Sequence, residues 1–182
     1  SATAVLRENN IAYDVIGSKN IVDETAEVLI LSHVSNIREN EMDAIEAYIE
    51  KGKNLFISGP IGNKRIEKLL GVKIVGKAEH TFTYMSPTEV GEVFFEDFSR
   101  KVPLTITSSQ YRIEIEDDTD CVVLATLTLP YTMTGTEQFS AIHSNPPGIY
   151  TDQPCAIRKR IGNSVIIWTA APIEMTQPYA SR

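Results

Sequence analysis

The sequence predicts an α/β fold, a mostly parallel sheet flanked by helices and continued by a β-rich C-terminal half on the same core. Three observations predict it. Two short runs, Val28-Leu29-Ile30-Leu31 and Leu55-Phe56-Ile57, are continuously apolar, as strands covered on both faces are. Between them Met42, Ile45 and Ile49 recur at helical spacing, so strand, helix and strand alternate in the way parallel crossovers require. After Gly71 the pattern changes, and β-type runs follow one another with little helix between them.

Residues 1–10 read as the tail of a helix without a cap or a preceding strand, and Arg182 follows closely on an apolar strand. Such ends are those expected of an excised segment rather than a whole gene product. The first clear strand is 27–33. Asn36 with Glu39 three residues later has the form of a capping box, and the helix it opens is expected over about 37–51. Lys51 suits the negative end of the helix dipole, and Gly52 can take the left-handed conformation that stops it. A second buried strand occupies 54–58. Residues 63–70 form a shorter helix with Ile66, Leu69 and Leu70 inward and Gly71 as its stop.

Beyond it, strands are expected at 72–75, 80–85, 102–107, 111–115, 122–129, 154–159 and 164–169, with a short helix within 92–100. The last two flank Ile161-Gly162-Asn163, where glycine and asparagine accept positive φ, so they form an antiparallel hairpin. No repeat, low-complexity tract or long linker divides the chain, and 1–182 is expected to be a single domain.

Composition narrows the function. The net charge of −7 and the absence of any long lysine or arginine run exclude a surface that tracks a phosphate backbone, so nucleic acid is not an expected partner. Cys121 and Cys155 each sit beside apolar residues, as inert buried thiols do. No apolar run approaches the ~20 residues that span a bilayer, and no signal peptide opens the chain. A soluble, cytoplasmic location without membrane contact is therefore expected. His33, His80 and His143 are far apart, without paired cysteines or His-x-x-x-His spacing, so neither a metal site nor a cofactor is expected.

In order along the chain, several segments resemble a known family. A strand with an acidic lead (27–32), a helix ending in Tyr48-Ile49-Glu50-Lys51-Gly52-Lys53, the strand 54–58 and Leu69-Leu70-Gly71-Val72 are similar to the β-galactosidase trimerisation domain. The C-terminal half continues the likeness with Ile142-His143-Ser144-Asn145-Pro146-Pro147-Gly148, Pro154-Cys155-Ala156-Ile157 and Ile161-Gly162-Asn163-Ser164-Val165-Ile166-Ile167. The likeness covers most of the chain and is weakest over 91–120. That domain belongs to the class I glutamine amidotransferase-like superfamily. The resemblance therefore implies a flavodoxin-like fold and a place within a bacterial glycoside hydrolase of carbohydrate metabolism. It also implies partners: an upstream catalytic barrel, neighbouring subunits of the parent enzyme, and carbohydrate as a further candidate.

Amidotransferase chemistry needs a cysteine on a strained strand-to-helix turn, a histidine to activate it and an acid to orient the histidine. The turn here is Ser58-Gly59-Pro60-Ile61-Gly62, which holds no cysteine and leaves Ser58 as the alternative nucleophile. By the resemblance, the histidine and acid positions fall in Pro172-Ile173-Glu174, where the acid is present and the histidine is not. No catalytic residues are therefore expected. The acids between Glu114 and Asp120 read as a solvated hairpin end, not as the carboxylate pair of a glycosidase.

Candidate contacts for a ligand or partner are His143, Asn145 and Tyr150, in the proline-stiffened loop 138–152, and His33, at the end of a parallel strand where ligand crevices of α/β sheets lie. Each has a plain structural alternative: a rigid connection into the hairpin for the loop, and a histidine hydrogen-bonded at the sheet edge for His33. The expected function is a non-catalytic accessory or oligomerisation domain of a β-galactosidase-like glycoside hydrolase. A sugar-binding module is the alternative, with a cryptic amidotransferase-like hydrolase behind it.

Overall fold

The computed structural model describes residues 1–80, 82–108, 110–132, 137, 139 and 145–175, the last of these by its backbone alone. The chain runs through α1 (Ala2–Glu8), β1 (Val28–Ser32), α2 (Glu39–Glu50), β2 (Asn54–Ser58) and α3 (Lys64–Leu70). It continues as β3 (Val72–Lys77), β4 (Thr83–Pro87), β5 (Leu104–Ile106), β6 (Tyr111–Ile115), β7 (Cys121–Pro130), β8 (Pro147–Ile161) and β9 (Ser164–Thr169). Three 3-10 turns, Ser18–Asp23, Gly91–Val93 and Ile173–Met175, join these elements. The second of them is all that stands where a short helix was expected within 92–100.

Seven strands form one sheet in the order β1-β2-β9-β8-β7-β4-β5, and β3 pairs with β6 in a separate ribbon. Only the β1–β2 and β2–β9 joints are parallel; the four from β9 to β5 are antiparallel. The expectation of a mostly parallel sheet is thus corrected, while an α/β architecture with a β-rich C-terminal half stands. For the β8–β9 joint the reason is connection length. A parallel joint needs a crossover of a dozen or more residues, whereas antiparallel neighbours need only a tight turn. β8 and β9 are joined in this way by a two-residue turn in which Gly162 (φ +56°) has positive φ and Asn163 does not, the pattern of a type II′ turn.

Local chemistry explains where the helices stop and start. Gly52 (φ +80°) follows α2 and Gly71 (φ +68°) caps α3, each in the left-handed region open to glycine. α2 begins two residues later than its capping box predicted. The backbone N–H of Arg38 donates to Glu41 (3.0 Å), and the Arg38 guanidinium pairs with the same carboxylate, so Arg38 and Glu41 perform the role assigned to Asn36 and Glu39. These contacts hold the Glu41 carboxyl down to about 2, well below its ordinary 4.5.

β8 is much longer than the expected 154–159. It begins at Pro147, and the register against β7 slips repeatedly between Val123 and Pro130. Prolines cannot donate to a ladder, and such irregularities are where a strand accommodates them. One core joins the two halves. Trp168, Met42 and Tyr48 are fully buried, with the Tyr48 hydroxyl donating to the Ala26 carbonyl at 2.6 Å.

Candidate functional site

The parallel strands β1, β2 and β9 end on one edge, and there the chain turns sharply. Each of the first two closes on a serine, Ser32 and Ser58, and each is followed by a residue with positive φ: His33 at +54° and Gly59 at +87°. The His33 N–H donates to the Ser58 carbonyl (2.8 Å), and the Gly59 N–H to the Thr169 carbonyl of β9 (2.9 Å). Trp168 completes the cross-tie, its indole N–H donating to the Gly59 carbonyl at 3.0 Å.

The turn after β2 is packed against its surroundings with no room to spare. A Cβ on Gly59 would lie 3.3 Å from Nδ1 of His33 and 3.4 Å from Pro172, and one on Gly62 would lie 1.5 Å from the Ser35 carbonyl oxygen. Asn63 then caps α3, its Oδ1 accepting the Arg65 N–H (2.8 Å) while its Nδ2 donates to the Ile37 carbonyl (3.0 Å).

Into this edge comes Glu174, on the 3-10 turn after β9. One carboxylate oxygen accepts the Ser32 hydroxyl and the other accepts the Ser58 hydroxyl. The fold brings together the strand-to-helix turn and the acid of 172–174, the two segments that the resemblance aligned with catalytic positions, and it also sets His33 beside Gly59 of that turn. It does not assemble a triad. Ser58 is completely buried, its proton is given directly to Glu174, and no hydrogen bond joins the His33 imidazole to either among the described residues. A catalytic serine needs an exposed hydroxyl aimed at a base that is in turn oriented by a third group. Here acid and hydroxyl are bound to each other in a closed contact.

The cysteines offer no substitute. Burial pushes the Cys155 thiol far up and raises Cys121, so neither is poised as a thiolate. Among the described residues no group of three or more histidine, cysteine, aspartate or glutamate side chains is arranged to hold a metal ion. No helix among them is long and apolar enough to cross a membrane.

The other candidate contacts fall elsewhere. Tyr150 lies on the part of β8 that runs beyond its pairing with β9, opposite Thr128 of β7. It is 42% exposed, its hydroxyl donates to the Arg100 carbonyl (3.0 Å), and the Arg100 guanidinium stands 5.1 Å from its ring centre. The side chain of Asn145 clips the backbone of Thr132, accepting its N–H at 2.8 Å and donating to its carbonyl at 2.9 Å. His143 lies outside the described residues. Sequence reasoning passed over Ser32, although a small hydroxyl at the last position of each of two adjacent parallel strands is the signal that would have exposed it.

No protein-family model matches the chain, and no curated protein matches it. Solved structures do share its fold. An exo-β-1,4-mannosidase from Opitutaceae bacterium strain TAV5 superposes with a TM-score of 0.62 at 15% identity, over 96% of this chain and 26% of that one. A β-galactosidase from Rahnella sp. R3 gives 0.63 at 15% identity, over 91% of this chain and 23% of that one. A cytoplasmic protein from Salmonella typhimurium LT2 gives 0.62 at 14% identity, over 93% of this chain and 74% of that one. The chain thus has the fold of a segment about a quarter the length of those two glycoside hydrolases.

Proposed function

We propose that this chain is a non-catalytic accessory domain of a glycoside hydrolase, one that positions or oligomerises the catalytic part of a larger enzyme. The observation that carries this reading is the closed contact of Glu174 with Ser32 and Ser58. The acid that would orient a catalytic histidine instead ties the C-terminal turn to two strand ends, which is structural work. Likeness of fold to segments of a mannosidase and a β-galactosidase supports the same reading. The partners proposed are an upstream catalytic barrel and neighbouring subunits, in a bacterial, cytoplasmic enzyme.

The test is made on the longer polypeptide that carries residues 1–182. Sedimentation and turnover are compared with and without this domain. Loss of the oligomer, or of activity, on its removal is expected; a monomer of unchanged activity in both forms would overturn the proposal.

Carbohydrate contact is the second reading, favoured by the exposed Tyr150 ring beside Arg100 and the 46% exposed Ile149. Titration of the chain with galactosides and fucosides is expected to show saturable binding that Tyr150→Ala removes, and a flat titration would dismiss it.

A further inference from the structure

The ribbon of β3 and β6 shares no ladder with the seven-stranded sheet, so contacts other than strand pairing fasten it there. Gln110, which leads into β6, supplies several of them. Its carbonyl accepts the Ala78 N–H just after β3 (2.8 Å), and the next residue, Tyr111, donates its N–H to the Ala170 carbonyl just after β9 (3.5 Å). The side-chain amide nitrogen of Gln110 donates to the Thr83 hydroxyl (2.7 Å) and to the Tyr84 carbonyl (3.3 Å), both at the start of β4. Gln110 is 1% exposed, and Thr83 is wholly buried.

These bonds leave two polar functions over. Oε1 of Gln110 is buried and meets no donor among the described residues. Thr83 accepts from Gln110 through its oxygen, and its own hydroxyl proton has no acceptor among them. Turning the amide over does not repair this. The Tyr84 carbonyl can only accept, so the amide atom facing it is the nitrogen; a flip would set oxygen against oxygen and strand two N–H donors instead. Buried polar groups left in this state are costly, and nearly all in folded proteins have a partner. The backbone neighbours that bond here, Ala78 and Ala170, are both buried and carry only a methyl group, the least that any residue but glycine could put beside the amide.

We propose that Gln110 and Thr83 form a binding site for a single water molecule, which donates to Oε1 of Gln110 and accepts the hydroxyl proton of Thr83. Water meets both needs at once, being donor and acceptor in one small molecule. An anion is excluded because the unpaired amide atom is itself an acceptor, and a cation would have the Thr83 proton pointing at it. Held there, the water completes the joint between the ribbon, β4 and the end of β9. The inference goes beyond the accessory role proposed above and holds whether or not that role does.

The experiment uses the 182-residue chain, isotope-labelled for NMR, with solvent water as the probe. The side-chain amide hydrogens of Gln110 are expected to cross-relax with water with opposite signs in the laboratory and rotating frames, the mark of a contact that outlasts molecular tumbling. Proton exchange would give the same sign in both. Thr83→Val, which exchanges the hydroxyl for a methyl group of like size, is expected to weaken or abolish that cross-peak. Relaxation dispersion of the water oxygen reads how many waters are held for longer than tumbling, and Gln110→Leu, which removes the orphan acceptor, is expected to lower it by one molecule. The native chain is decisive even where a variant does not fold. Three outcomes would overturn the proposal: cross-peaks that are absent or of the same sign in the native chain, an unweakened cross-peak in folded Thr83→Val, or an undiminished oxygen dispersion in folded Gln110→Leu.

Discussion

The Glu174 carboxylate has two hydroxyl donors and, among the described residues, no cation, so its worth to the fold lies in the hydrogen bonds themselves. Glu174→Ala leaves the buried Ser58 hydroxyl without its acceptor and is expected to cost about 2–4 kcal/mol in urea denaturation, with Ser58→Ala milder at about 1 kcal/mol. Gly62→Ala is expected to be worse than either. Its Cβ would overlap the Ser35 carbonyl at 1.5 Å, and because the obstacle is backbone, the chain must shift or fail to fold. A pH effect belongs to Asp117, whose carboxyl is held down to about 2 from an ordinary 3.8, chiefly by the hydrogen bond from Lys159 (2.9 Å). A carboxyl depressed on folding stabilises above its unfolded value and loses that contribution as pH falls through the folded one. The stability difference between the native chain and Asp117→Asn is therefore expected to be constant above about pH 5 and to vanish between about pH 4 and pH 2, as measured by denaturation across that range.

Elements with a local cause were legible in the sequence, and those with a distant cause were not. β2, β6 and β9 and the stops at Gly52 and Gly71 follow from apolar runs and from glycine's freedom at positive φ, and they stand where they were expected. The start of α2 was misplaced because Asn36 is a better cap by type, while the contacts of Glu41 with Arg38 select the later residue. The length of β8 was missed because Pro147 and Pro154 argue against a strand, and only its partner β7, with its register slips, makes room for them. At the site, the absence of cysteine and histidine was legible, but the joining of Ser32, Ser58 and Glu174 was not, since it spans 142 residues. Asn63 tests the joint between the elements on that edge. It caps α3 and also holds the loop before α2, so Asn63→Ala is expected to lower stability by about 2 kcal/mol, roughly one for the cap and one for the buried bond to Ile37, read by thermal denaturation.

At the scale of the molecule, the sheet is a hybrid in which a parallel part is completed by the last strand of an antiparallel one. A parallel sheet was expected because α2 and its flanking strands, read alone, are the grammar of a crossover; the antiparallel pairings of the rest carry weaker signals, spread over short runs. The mixed order has a consequence in time. β2 gains its second neighbour only when β9 arrives, and the pairing of Leu55 with Ile166 closes a loop containing most of the chain. At a synthesis rate of roughly 5–20 residues per second, β2 emerges on the order of ten seconds before the strand that covers it. A chain ended at Asn163 is accordingly expected to stay protease-sensitive around residues 54–58 and to aggregate, as limited proteolysis and light scattering would reveal. During that interval the nascent chain carries an apolar strand with a bare edge, and it is then, more than at any point in its folded life, that it depends on whatever in the cell shields such edges.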